Sequence, residues 1–165
     1  MWLGPDQALA IAKAITKQLV TVDAKNADYY HSNLQKVTKD IEVAKGEIKA
    51  RLSNYTNQGY FVFHDAYGYF EEAFGLKQTG HFTVDPDRKP GAKTLVKIRE
   101  ALVKNQAQCV FTEPQFNDGF VKSVSKHTKT KVVALDPLGI SIPKNGRYVD
   151  FLYSLGNKFT ECFER

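Results

Sequence analysis

No apolar run in this chain reaches the roughly 18 residues that a membrane-spanning helix needs. The opening "MWLGPDQALAIAKAI" has neither the basic start, nor the unbroken apolar core, nor the small-residue cleavage site of a signal peptide. It therefore reads as the start of a cytosolic protein or as a piece of a longer one. No HExxH, CxxC pair, P-loop or GxGxxG occurs, so the commonest zinc-protease, zinc-ribbon and nucleotide sites are not indicated. Histidine is scarce at four residues and cysteine at two, which limits any metal site to a small set of candidates. Internal repeats and low-complexity segments are absent too.

What is present suits one folded body with an appendage: 165 residues, 42% hydrophobic and 25% charged. The net charge of +5 permits nucleic-acid binding without arguing for it. Lys and Arg are scattered, and the densest cluster, "KSVSKHTKTK" (Lys122 to Lys131), reads as a solvated helix end and turn. No nucleic-acid partner is expected.

The first segment predicts a helix. Pro5 suits the first helical position, Asp6 the positive end of the dipole, and Leu9, Ala12, Ile15 and Leu19 form its apolar stripe. After "TVDAKNAD" a second helix is predicted over 26–54, with Tyr30, Leu34, Val37, Ile41, Ala44, Ile48 and Leu52 at spacings of three and four. At 1.5 Å per residue it is roughly 40 Å long. It is either a strut between two lobes or a long surface helix.

From Gly59 onward, short apolar runs alternate with helical patterns. "YFVFH", "LKQTGHFTV", "QCVFTE" and "KVVALD" read as strands; "AYGYFEEAF", "GAKTLVKIREALVKN", "FNDGFVKSVSKH" and "GRYVDFLYSLGNKFTECF" read as helices. The alternation predicts an α/β fold, a four-stranded parallel sheet flanked by helices and preceded by the long helix.

Three of the strand runs end on residues able to bind metal or move protons: His64 in "FHD", Glu113 in "FTEP" and Asp136 in "LDPLG". In an open parallel sheet, ligands bind beyond the carboxyl ends of the strands, so the three should meet on one rim. Taken singly, an aspartate at such a place is usually a cap or turn former. An imidazole with carboxylates suits Zn²⁺, Mn²⁺ or Fe²⁺ but makes only half a coordination shell. His81, in the second strand, lies near the same rim; His31 and His127 read as solvated. A metal-dependent hydrolase with Glu113 as base is an alternative of another class, which would need a substrate pocket in this chain. The two cysteines, Cys109 in an apolar strand and Cys162 near the C-terminus, are either free thiols or a pair. As a pair they would close a long loop, for roughly 4 kcal/mol, and need an oxidising compartment.

The blocks "GYFVFHDAYGYFEEAFGL", "GHFTVDPDRKPGA", "CVFTEPQF" and "ALDPLG" closely resemble the C-terminal lobe of the zinc-uptake periplasmic binding proteins. These belong to the metal-binding solute-binding family of ABC transporters, together with manganese-binding lipoproteins of streptococcal type. The resemblance runs in order over nearly the whole chain. The family motif H-x-W-L-x-P matches Trp2, Leu3 and Pro5 of "MWLGP", with its histidine falling just before Met1. The resemblance thus implies a truncated chain: residues 1–25 as a remnant helix of the N-terminal lobe, 26–54 as the interlobe backbone helix, and 55–165 as the C-terminal metal-binding lobe.

It implies that His64 is a Zn²⁺ ligand, that Asp136 occupies a second ligand position, and that Glu113 orients others. It further implies that His81 assists a secondary metal site and that Cys109 pairs with Cys162. The implied activity is capture of Zn²⁺ in the periplasm and delivery to an ABC permease of the inner membrane, without catalysis. Zn²⁺ binding would be weak or absent in this piece, because the missing N-terminal lobe carries the other ligands. A manganese or iron carrier of the same family is the alternative, and His64 in place of a carboxylate favours zinc.

Overall fold

The chain is seen in a computed structural model that describes residues 1–85, 87–88, 90–104 and 106–164. Two helices come first. α1 (Pro5–Val22) starts behind Gly4 with Pro5 in its first turn, and α2 (Ala27–Leu52) follows a short 3₁₀ turn. The 26 residues of α2 give it a length of about 39 Å. Then come β1 (Tyr60–His64), α3 (Gly68–Phe74), β2 (Gly80–Thr83), α4 (Ala92–Val103), β3 (Cys109–Thr112), α5 (Gly119–Ser125), β4 (Lys131–Ala134) and α6 (Tyr148–Phe163). Among the described residues no helix is long and apolar enough to cross a membrane.

The four strands are all parallel, in the order β2-β1-β3-β4, as the alternation of strands and helices predicts. Side chains alternate between the two faces, and each face carries its own core. Tyr60, Val62, Cys109, Phe111 and Val133 join the core shared with α2, α3 and α6. Phe61, Phe63 and Val110 join a second core with Ile98, Leu102 and Val121 of α4 and α5. Gly156 of α6 permits close contact with α2, since a Cβ there would stand 3.0 Å from Ile48 Cγ2. Gly75, at φ 70°, ends α3 in a left-handed turn. Cys109 and Cys162 form a disulfide with a Cα–Cα distance of 5.7 Å across 53 residues, bonding the start of β3 to the end of α6. Such a bond contributes roughly 4 kcal/mol in the chain-entropy model.

Two predicted stripes differ from those observed. α1 buries Leu9 and Thr16, while Ile11, Ile15, Leu19 and Val22 are exposed. The helix meets α2 along the line through Leu9 and Thr16, leaving an apolar line at positions 11, 15, 19 and 22 uncovered. On α2 only Ile41, Ala44, Ile48 and Leu52 are buried; Val37, nearer its start, is exposed. The fully buried residues of α2 thus lie in its C-terminal half, while Tyr30 and Leu34 in its first half are half-buried.

Candidate metal centre

The strand register decides which of the terminal residues meet. Tyr60 pairs with Cys109 and Phe61 with Val110. The same offset places His64 beside Glu113, on the face occupied by Tyr60 and Cys109. Across the other side of β3, Phe111 pairs with Val133 and Thr112 with Ala134, so Leu135, not Asp136, stands beside Glu113. Asp136 has the opposite parity. The register thus brings His64 and Glu113 together, while Asp136 lies two residues beyond the end of β4, near enough for its charge to act on Tyr67. Among the described residues, no three His, Cys, Asp or Glu side chains form an ion-binding group.

His64 Nδ1 lies 2.6 Å from Glu113 Oε1. The Glu113 side chain is fully buried, whereas that of His64 is 18% exposed. The Tyr67 hydroxyl donates to the same Oε1 at 3.1 Å, and Gln115 Nε2 donates to Oε2 at 3.0 Å. Burial, and then the charge of Glu113, push the Tyr67 hydroxyl far above its ordinary range, so it remains a donor. A carboxylate accepting at Oε1 places a proton on Nδ1, and in the neutral imidazole the lone pair is then on Nε2. His64 lines an open cleft of about 650 Å³ whose walls include Trp2, Tyr69, Phe116 and Leu138. The Phe116 ring stands at 6.3 Å from the imidazole, close to edge-on. The arrangement is that of a histidine ring held by a buried, hydrogen-bonded carboxylate at the lining of a cleft. As a general base Glu113 is badly placed: both oxygens accept hydrogen bonds and neither is exposed.

Asp136 serves the turn that follows β4. Its Oδ1 accepts from the Leu138 N–H at 3.2 Å, and its Oδ2 accepts from the N–H and hydroxyl of Ser141 at 2.7 and 2.8 Å. Burial acts to raise its pKa, but the hydrogen bonds from Ser141, Ile140 and Leu138 outweigh it and hold the carboxyl below its ordinary range. His81 is set one step back from the rim, paired with Val62 while Thr83 pairs with His64. Its Nδ1 lies 3.9 Å from Asp65 Oδ2, and it lines a separate, shallower hollow with Asp85 and Arg88. His31 and His127 are exposed. Tyr67 and Gln115 were not singled out in the sequence. Their only signals are their positions, three residues after His64 and two after Glu113.

The model of the family described as zinc-uptake complex component A, periplasmic (ZnuA), matches residues 1–162. The high-affinity zinc uptake system protein ZnuA of Yersinia pestis is 41% identical over 165 residues, covering 99% of this chain and 52% of that protein. Its counterpart in Haemophilus influenzae is 36% identical, covering 100% of this chain and 49% of that protein. The chain thus spans about half the length of these relatives. A crystal structure of ZnuA superposes with a TM-score of 0.86 at 24% identity, over 99% of this chain and 62% of that one, a likeness of fold. The AdcAII protein of Streptococcus pneumoniae superposes with a TM-score of 0.82 at 26% identity, over 97% of this chain and 60% of that one. With the family's model matching almost end to end, the chain belongs to the periplasmic zinc-uptake component family, ZnuA.

Proposed function

We propose that this chain is the C-terminal lobe, with the interlobe helix, of a periplasmic Zn²⁺-binding protein that captures the ion and hands it to an ABC permease. The observation that carries the reading is the His64–Glu113 pair: a buried, fully hydrogen-bonded carboxylate fixes the imidazole at the wall of a cleft. Neutral His64 donates Nε2 to the ion. Glu113 holds the tautomer and adds negative charge behind the ring, which strengthens the metal bond. No bond is made or broken in the cargo, so the role is capture and release rather than catalysis.

Asp136 is proposed as a carboxylate ligand at the same rim. Its support is the weaker, because a metal bond would compete with Ser141 for Oδ2. His81, with Asp65 beside it, is proposed for a secondary site at the cleft mouth. Residues 1–25 are assigned to the N-terminal lobe, 26–54 to the interlobe helix and 55–165 to the C-terminal lobe. The exposed Ile11, Ile15, Leu19 and Val22 of α1 support that division, although Leu3 and Leu9 lie in the main core. The remaining ligands then come from the other lobe, and Zn²⁺ binds this chain only weakly.

Calorimetry with Zn²⁺ on this chain tests the reading. Weak binding that disappears in His64→Ala is the expected result. Tight binding that survives this substitution would remove His64 from the site.

A further inference from the structure

The first residues of the chain are fastened at several points. Leu3 is 2% exposed in the main core, and Gly4 and Pro5 are buried behind it. The Trp2 indole Nε1–H donates to the Pro137 carbonyl at 2.8 Å. The Tyr148 hydroxyl donates to the Trp2 carbonyl at 2.8 Å, with the Gly4 carbonyl at 3.4 Å. A hydroxyl has one proton, so the shorter contact is the effective bond. Gly4 leaves no slack, since a Cβ there would stand 2.8 Å from Tyr69 Cβ.

Both anchors are held in turn. Pro137 lies in the turn braced by the Asp136 carboxylate. Tyr148 opens α6, where the Arg147 N–H donates to Asp150 and the Arg147 guanidinium pairs with Asp40 of α2 at 3.0 Å. The far end of α6 is bonded to β3 through Cys162. Met1, Trp2 and Leu3 are part of the wall of the cleft that His64 lines. The wall is thus set by two hydrogen bonds spanning 135 and 146 residues, although Trp2 itself is 51% exposed.

We infer that Tyr148 is a positioning residue for this cleft: acting through Trp2, it clamps the Met1–Leu3 wall to the Pro137 turn and governs how fast a divalent metal ion leaves His64. For the ion, the inference rests on the metal-binding reading above; the clamp itself stands on the hydrogen bonds alone. Losing one of the two bonds loosens the wall without unfolding it, because Leu3 and Pro5 stay in the core.

The chain has a single tryptophan, so its indole N–H gives one resonance whose hydrogen exchange reads the clamp directly. In Tyr148→Phe that exchange should quicken on the order of tenfold, the scale of one lost hydrogen bond. Stopped-flow release of Zn²⁺ to a chelating dye should quicken by a similar factor, with the association rate little changed. Trp2→Phe, which removes the indole donor, repeats the release measurement independently. Val149→Ala destabilises α6 from the core without touching the clamp and should leave Zn²⁺ release near that of the unmodified chain. Release equally fast in Val149→Ala would reduce Tyr148 to a structural role and overturn the inference. Unchanged indole exchange, or unchanged Zn²⁺ release, in Tyr148→Phe would overturn it as well. The two readings fail separately: Zn²⁺ binding that survives His64→Ala counts against the metal site, and slow indole exchange in Tyr148→Phe counts against the clamp.

Discussion

Two histidine–carboxylate pairs stand on neighbouring strands, and they are not equivalent. His64 on β1 meets Glu113 at 2.6 Å, against a carboxylate with no exposed surface. His81 on β2 stands 3.9 Å from Asp65, with both side chains more than a third open to solvent or close to it, at 35% and 41%. Glu113 is held by Tyr67 and Gln115 as well, so its position does not depend on the histidine. Asp65 also accepts from Gln78, at 2.6 Å, but on the surface, where water competes for it. The difference teaches that proximity of a histidine to an acid is not enough. What sets His64 apart is a carboxylate already fixed by other groups, which orients the imidazole and supports the ligand role proposed for it. The pair at His81 is the kind of exposed contact worth little by itself.

The largest expected effect that separates the pairs is on the ion itself. His64→Ala should abolish calorimetrically detectable Zn²⁺ binding, since among the described residues no other imidazole lines that cleft. Glu113→Gln should retain the hydrogen bond to Nδ1 but remove the charge, lowering Zn²⁺ affinity by about 10- to 100-fold, as loss of a ligand-orienting partner does. A competition assay against a metal-sensitive dye would measure it. Equal affinity in that variant would make the two pairs alike after all.

Asp136→Asn has a smaller effect, and one that depends on pH. The folded chain holds the Asp136 carboxyl below its ordinary range, so the unfolded chain takes up the proton first. Its stabilising contribution is fully present above the ordinary aspartate value and is lost as pH falls through the lowered folded value. Thermal melts followed by circular dichroism should show the variant less stable at neutral pH, with the gap closing on acidification. The smallest effect belongs to His81→Ala, which should change Zn²⁺ affinity at the His64 cleft by no more than about twofold, as for an exposed pair. A change as large as that for Glu113→Gln would place His81 in the principal site.

Much of this arrangement was legible in the sequence. The runs "YFVFH" and "QCVFTE" announce buried parallel strands, and His64 and Glu113 stand out as the polar residues that end them. The long helix and the parallel sheet follow from periodicity and alternation alone. Asp136 shows the limit. It ends a run just as His64 does, yet its carboxylate also accepts from the turn that follows, and nothing in the run announces Ser141 as its partner. The stripe on α1 misleads for a related reason. The predicted line of Leu9, Ala12, Ile15 and Leu19 starts on the buried side, but packing then follows Thr16 and leaves Ile15 and Leu19 exposed. Tyr67 and Gln115 gave no signal because each works through a carboxylate distant in the chain. The Trp2–Pro137 bond, spanning 135 residues, is of the same kind.

The central claim is that Glu113 holds His64 with its proton on Nδ1 and Nε2 free for the ion. Nitrogen-15 NMR of the histidine rings, recorded as Zn²⁺ is added, tests it most directly. The account predicts that Nε2 of His64 moves to a metal-bound shift while Nδ1 stays protonated, with His81 little changed. Metal bound through Nδ1, or Zn²⁺ uptake that leaves the His64 ring untouched, would contradict it.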